Sequence, residues 1–362
     1  MQDFSRYRVL QLIDTLALGG AERVAVNIAN ALSQRGAKSF LCATRDGGPL
    51  EKELNDGVLL LRLDRKSTFD ISAIFRLRSF ISDNQISIIH AHSSSLFIAV
   101  IMKILSPGVK LIWHDHNGNP DERNSFFYKL AARFVSQAIC VNQKLVAWMT
   151  EALGIQSTKI RYIPNFAAPL EGVQEELELP GAKGLRVVSV ANIRWQKGHK
   201  DLVAAFDFVA TRFPEAHLIL VGDNPDRELL DEVCALITRK GLEEKISILG
   251  RREDVGAILS QCDIGVISSL SEGLPLALLE YGFAGLAVVS THVGQCREVL
   301  ADGEMGRVVP RGDAEKLGEA IAELLEDSNL REELGRKLRD HVQKIYSEDA
   351  FMKALSELYE TV

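Results

Sequence analysis

The chain predicts an α/β fold built as two doubly wound domains, on three observations. Strand-length apolar runs alternate with amphipathic helical stretches along nearly the whole chain. The alternation comes in two sets, separated at 164–183 by a stretch rich in Glu and Pro with no clear period. A length of 362 residues is that of two ordinary domains. The order strand–helix–strand favours parallel sheets covered by helices on both faces.

In the first set, runs at 9–13, 39–43, 59–63, 86–90, 110–113, 138–141 and 159–163 read as strands. Helical patterns lie between them, among them 22–35 and 71–82. The second set places strands at 185–190, 217–221, 245–249, 264–267, 286–290 and 306–309, with helices at 199–212, 227–240 and 315–326. The tail from 329 to 359 is helical in pattern and adds no strand. The resulting partition is a first domain at 1–168, a linker at 169–183 and a second domain at 184–345.

Composition fits a soluble globular protein, with 46% apolar and 25% charged residues. The longest lipid-like stretch, 96–105, contains Lys103 and is far short of the ~20 apolar residues of a membrane span. Arg6 and Arg8 lead into a strand-length run rather than a signal peptide. The five cysteines form no Cys-x-x-Cys pair, so free thiols in a reducing cytoplasm are expected. Charge is uneven: residues 1–170 carry a net of +6 within a total of −7. An anionic membrane surface is the expected partner of that basic half, and no nucleic acid is expected. Arg62, Arg65, Lys66, Arg76 and Arg78 crowd there with apolar residues between them. On a helix from Ile71, the face carrying Ile71, Ile74, Phe75 and Arg78 is expected to be core.

Chemistry-bearing residues gather at carboxyl ends of strands, where open α/β sheets bind ligands. Gly19 and Gly20 follow the first strand and precede a helix beginning near Glu22. His90 and His92 end one strand-like run, and His114 and His116 end the next. His114 and His116 alternate along one extended face, but no obvious carboxylate or thiolate set completes a metal site, so no metal is expected. Asn192, Arg194 and Lys197 follow the first strand of the second domain, where a cationic pair suits a diphosphate. Gly222-Asp223 and Gly250-Arg251 end the next two strands. Glu272, Gly273 and Leu274 occupy the loop after the 264–267 run. Glu280 is read as lying about two turns into the following helix. The helix N-terminus between the two glutamates offers amides to an anion.

The segment from Glu272 to Glu280 resembles the Glu-x7-Glu signature of the GT4-type retaining glycosyltransferases. The resemblance runs from about Val9 to Val309. It implies the GT-B fold, two Rossmann-like domains facing a cleft, with the C-terminal helix at 346–362 returning to the first domain. It also implies a nucleotide-diphosphate sugar as donor, with no cofactor and no metal. By this likeness Glu272, His116, Lys197 and Arg194 are the catalytic set. Gly19, Gly20, Asn192, Gly222, Asp223, Gly250, Arg251, Gly273, Leu274 and Glu280 line the donor. Glu22, His92 and His114 lie on the acceptor side. The chain departs from the family where Asn192 takes the usual arginine position, and Arg194 is a substitute three residues before Lys197. The implied function is hexose transfer to a glycan or lipid-linked acceptor in bacterial surface polysaccharide synthesis, at the inner membrane face. A nucleotide-sugar 2-epimerase of the same fold and a non-catalytic sugar-binding protein are the alternative readings.

Overall fold

A computed structural model describes residues 2–17, 19–67, 70–116, 125–167 and 177–362. The chain divides into two compact units, Met1–Phe166 with Glu348–Val362, and Ala167–Ser347.

The first unit holds seven strands: β1 (Arg8–Thr15), β2 (Lys38–Asp46), β3 (Val58–Arg62), β4 (Ile88–His92), β5 (Lys110–Asp115), β6 (Gln137–Cys140) and β7 (Ile160–Tyr162). They pair in the order β3-β2-β1-β4-β5-β6-β7, all parallel. The second unit holds β8 (Arg186–Val190), β9 (His217–Val221), β10 (Ile246–Gly250), β11 (Ile264–Ile267), β12 (Ala287–Thr291) and β13 (Arg307–Val309). Their order is β10-β9-β8-β11-β12-β13, again all parallel. Both sheets reverse direction of growth beside their first strand. That topological switch, between β1 and β4 and between β8 and β11, opens a crevice at the strands' carboxyl ends.

The strands are near-continuous apolar runs because helices cover both faces. Along β1, Leu10 and Leu12 enter a core with Trp113 and Leu145, while Val9 enters another with Ile28 and Leu355. The second of these cores is completed from the far end of the sequence. The helix Glu348–Tyr359 buries Phe351, Met352, Leu355, Leu358 and Tyr359, a stripe at helical spacing. Its first turn is fastened by Arg35, whose buried guanidinium donates to Glu348 at 2.6 Å and Asp349 at 2.7 Å.

The strand ends and the place of Glu280 are corrected. β4 ends at His92 rather than at 90, and β5 at Asp115 rather than at 113, so His92 and His114 lie inside strands. The helical tail consists of Ser328–Ile345 and the separate helix Glu348–Tyr359. The helix after Glu272 begins at Leu276, so Glu280 is about one turn into it rather than two. Of the stretch read as a linker, 168–176 lies outside the described residues. The segment 177–183 is tied to the second sheet. The Arg186 guanidinium donates to the carbonyls of Leu179, Pro180 and Gly181 at 2.8–3.1 Å.

Candidate active site

In the second unit, the sequence packs two loops together at the β8/β11 switch. After β8 the chain makes a short 3-10 turn, Trp195–Lys197, that ends in Gly198. Gly198 has φ 64°, and a Cβ there would stand 2.1 Å from the Ser268 carbonyl oxygen. Only glycine permits both the left-handed backbone and that approach. The loop after β11 is thereby held against the turn. Ser268 Oγ donates to the Lys197 carbonyl at 2.8 Å, and the Leu270 amide donates to the Gln196 carbonyl at 2.7 Å.

This packing sets Lys197 Nζ 2.5 Å from Glu272 Oε1. Ser269 Oγ donates to the same oxygen at 2.7 Å. The Glu272 loop is buttressed from β12. The Gln295 amide donates to the Gly273 carbonyl at 2.8 Å, and Thr291 Oγ1 to the Ser269 carbonyl at 2.6 Å. Glu280 stands half-buried on the helix Leu276–Ala284. The next residue, Tyr281, is fully buried, and its hydroxyl accepts the Val190 amide at 2.7 Å. Tyr281 thus joins the glutamate-bearing helix to the end of β8. The Leu278 amide donates to the Pro275 carbonyl at 3.1 Å, which leaves the Leu276 and Ala277 amides at the N-terminus as the ones suited to an anion.

Around this centre, Asn192 Oδ1 accepts the Asp223 amide at 2.9 Å, which joins the loops after β8 and β9. The same closeness demands Gly222, where a Cβ would lie 2.2 Å from the Ala191 carbonyl oxygen. Arg194 and Arg251 are exposed, as is Trp195. His199 is buried directly after Gly198. Burial pushes its ring down to about 4, with Lys197 adding to the effect, so the imidazole is neutral.

In the first unit, Gly19 precedes the helix Gly20–Gln34. The Glu22 carboxylate folds back toward this N-terminus, where a Cβ on Gly19 would meet Glu22 Oε2 at 2.2 Å. It also accepts from Thr15 Oγ1 at 3.2 Å. An acidic side chain is favoured there by the helix dipole. At the β1/β4 switch the four histidines converge. Parallel register puts His92 beside His114, and two-residue alternation puts His90 and His116 on the same face. His92 Nδ1 and His116 Nε2 are 2.8 Å apart, and His90 Nε2 and His114 Nδ1 3.2 Å. Tyr359 Oη meets His90 Nδ1 at 3.2 Å, and Gln11 Oε1 meets His92 Nε2 at 2.8 Å. His90, His92 and His114 are buried, while His116 is partly exposed. Burial pushes His90 and His116 down to about 3 and the other two well below their ordinary value. His92 and His114 therefore back His116 rather than face solvent.

The basic cluster is less free than the sequence suggests. Arg62 pairs with Glu51, buried Arg65 lies 3.7 Å from Asp14, and Arg76 donates to the Leu63 carbonyl. The expected core face of the helix Ile71–Asp83 is also corrected. Ala73, Leu77 and Ile81 are its buried residues, whereas Ile71 and Phe75 are 66% and 57% exposed. Spacing alone allowed either stripe. Phe126 and Phe127, on the helix Ser125–Ala132, are also exposed. Among the described residues no helix is long and apolar enough to cross a membrane. Sequence reading gave no role to Ser269, Tyr281 and His199, which lie within or beside the motif segments, nor to Gln11 and Tyr359, which lie outside them; packing places each.

Comparison with known proteins accounts for both halves. Residues 18–168 match the family model described as Glycosyltransferase Family 4, and residues 176–341 the model described as Glycosyl transferases group 1. The chain is 27% identical over 173 residues to N-acetyl-alpha-D-glucosaminyl L-malate synthase of Bacillus anthracis. That match covers 48% of this chain and 44% of that relative. It is 26% identical to the lipopolysaccharide core biosynthesis glycosyltransferase LpsE of Rhizobium meliloti, across 94% of this chain and 95% of LpsE. The solved structure of HepE from Anabaena in complex with UDP superposes with a TM-score of 0.83 at 20% identity, covering 98% of this chain and all of HepE. The chain belongs to the group 1 glycosyltransferases and has their GT-B fold.

Proposed function

We propose that the protein transfers a hexose from a nucleotide-diphosphate sugar to a glycan or lipid-linked acceptor with retention of the anomeric configuration. The observation that carries the reading is the Lys197–Glu272 pair, 2.5 Å apart at the β8/β11 switch. Departure of the nucleotide diphosphate builds charge on its leaving oxygen. Lys197, Arg194 and the first-turn amides of the helix Leu276–Ala284 would meet that charge, electrostatic help of the kind that usually dominates catalysis. Lys197 would exchange a carboxylate for the diphosphate, which frees Glu272 to orient the sugar hydroxyls. Glu280 would hold the ribose, and His116 would contact the transferred sugar. The leaving phosphate would take the acceptor proton on the same face. This transfer needs neither a protein base nor a metal at the diphosphate.

UDP in HepE supports a uridine donor, and the lipopolysaccharide role of LpsE supports a surface-polysaccharide acceptor. Exposed Ile71, Phe75, Phe126 and Phe127 in a half of net +6 support reversible docking on an anionic membrane face. The test is incubation with UDP-, GDP- and ADP-sugars and a lipid-linked acceptor, with the product's anomeric coupling read by NMR. Retention in one nucleotide series is expected. An inverted anomer, or sugar epimerised without transfer, overturns the reading.

A further inference from the structure

We propose that His92, His114 and His116 form a binding site for one first-row divalent ion, zinc above all. One ring nitrogen from each lies within 4.8 Å of the others. Three imidazoles around one ion suit zinc, copper and nickel rather than the hard cations that take oxygen. No carboxylate or thiolate joins this group among the described residues, so a fourth position is left for water or a ligand.

The hydrogen bonds behind the three rings prepare them for this. Gln11 Oε1 can only accept, so the bond at 2.8 Å puts the proton of His92 on Nε2. Its Nδ1 is then a lone pair, and the contact at 2.8 Å is His116 Nε2–H donating to it. An ion between these two nitrogens would replace a single shared proton. Zn–N bonds of ~2.0–2.1 Å at a tetrahedral angle would widen the pair to about 3.3 Å. His114 is held through Nδ1 by His90, and behind His90 stands Tyr359. The outer nitrogen of His114, Nε2, is buried without a hydrogen-bond partner. Orphaned buried ring nitrogens are uncommon, and coordination would satisfy the orphan of His114. Metal-binding histidines are usually fixed through their other nitrogen in this manner. Partly exposed His116 marks the side of entry.

An ion and a sugar would compete for His116, a consequence that rests on the function proposed above. The site itself does not depend on it.

Chelator-treated full-length protein, dialysed against zinc or cobalt chloride, tests the site. One ion per chain is expected, with the intense visible band of low-coordinate cobalt. His116→Ala should abolish both. Gln11→Leu, which leaves the ligands in place, should weaken binding roughly tenfold to hundredfold. His341→Ala, on the second unit, should change neither. Absence of saturable binding, or binding unaltered by His116→Ala in protein of unchanged melting temperature, overturns the proposal. Zinc binding without inhibition of transfer supports the site and removes His116 from the donor.

Discussion

Lys197 Nζ and Glu272 Oε1 stand 2.5 Å apart, although 75 residues separate them in sequence. Gly198 makes the contact possible by letting one loop lie on the backbone of the other. Both side chains are largely shielded, so the pair is stronger than an exposed one.

Lys197→Ala removes a charge-assisted contact of ~1.5–3 kcal/mol and leaves Glu272 unbalanced beside the diphosphate. Affinity for the nucleoside diphosphate should fall about tenfold or more. Calorimetry decides, and an unchanged dissociation constant rejects the role. Adding Glu272→Gln should restore part of the loss, because the two substitutions act on one contact.

The two glutamates should separate by phenotype. Glu272→Gln is expected to lower transfer far more than binding of free nucleotide. Glu280→Ala is expected to weaken the nucleotide itself through its ribose. Steady-state rates and nucleotide affinities measured on both variants would show if the roles are reversed.

The histidines should divide by burial. His116→Ala should cut turnover with little change in melting temperature. His114→Ala empties a fully buried position bonded to His90 and should cost roughly 1–3 kcal/mol. Equal melting temperatures for the two variants would contradict this assignment.

His199 makes the second unit acid-sensitive. Its folded form takes a proton only near pH 4, against about 6.5 for a free imidazole. In between, the unfolded chain binds more protons, so stability is full above about pH 6.5 and declines as pH falls toward 4. The slope is about 1.4 kcal/mol per pH unit for this group. His199→Asn should flatten the pH dependence of urea unfolding in that window, and an unaltered slope would exclude His199 as its source.

Membrane docking should be salt-sensitive and should depend on the exposed apolar side chains. Phe75→Glu is expected to reduce sedimentation with anionic vesicles at low salt and to spare nucleotide binding. Equal, negligible sedimentation of the unaltered protein with anionic and neutral vesicles would favour a freely soluble acceptor.

Strand and helix positions were legible because buried parallel strands are uninterrupted apolar runs with turn residues between them. The 199–212 and 227–240 helices come within the bounds that the periodicity implies. Burial on the helix Ile71–Asp83 was not legible, since Ile71, Ile74 and Phe75 make as good a stripe as Ala73, Leu77 and Ile81. The motif residues Lys197 and Glu272 could be named from sequence, but their contact could not. It depends on β8 having β11, three strands on in sequence, as its second neighbour besides β9. The histidine cluster was half visible for the same reason. His114 and His116 share a strand end, whereas His92 joins them only through the β4–β5 register.

The fastening of Arg35 to Glu348 and Asp349 has a consequence for synthesis. The first unit includes Glu348–Val362, which are made only after the whole second unit, Ala167–Ser347. Until those residues emerge, Val9, Ile28 and Leu32 lack the apolar ridge of Phe351, Met352 and Leu355. The second unit, continuous in sequence, is free to complete itself first. A nascent chain stopped after Ser347 should therefore expose an apolar slot in its N-terminal half and engage chaperones there. Emergence of residues 348–362 would close it.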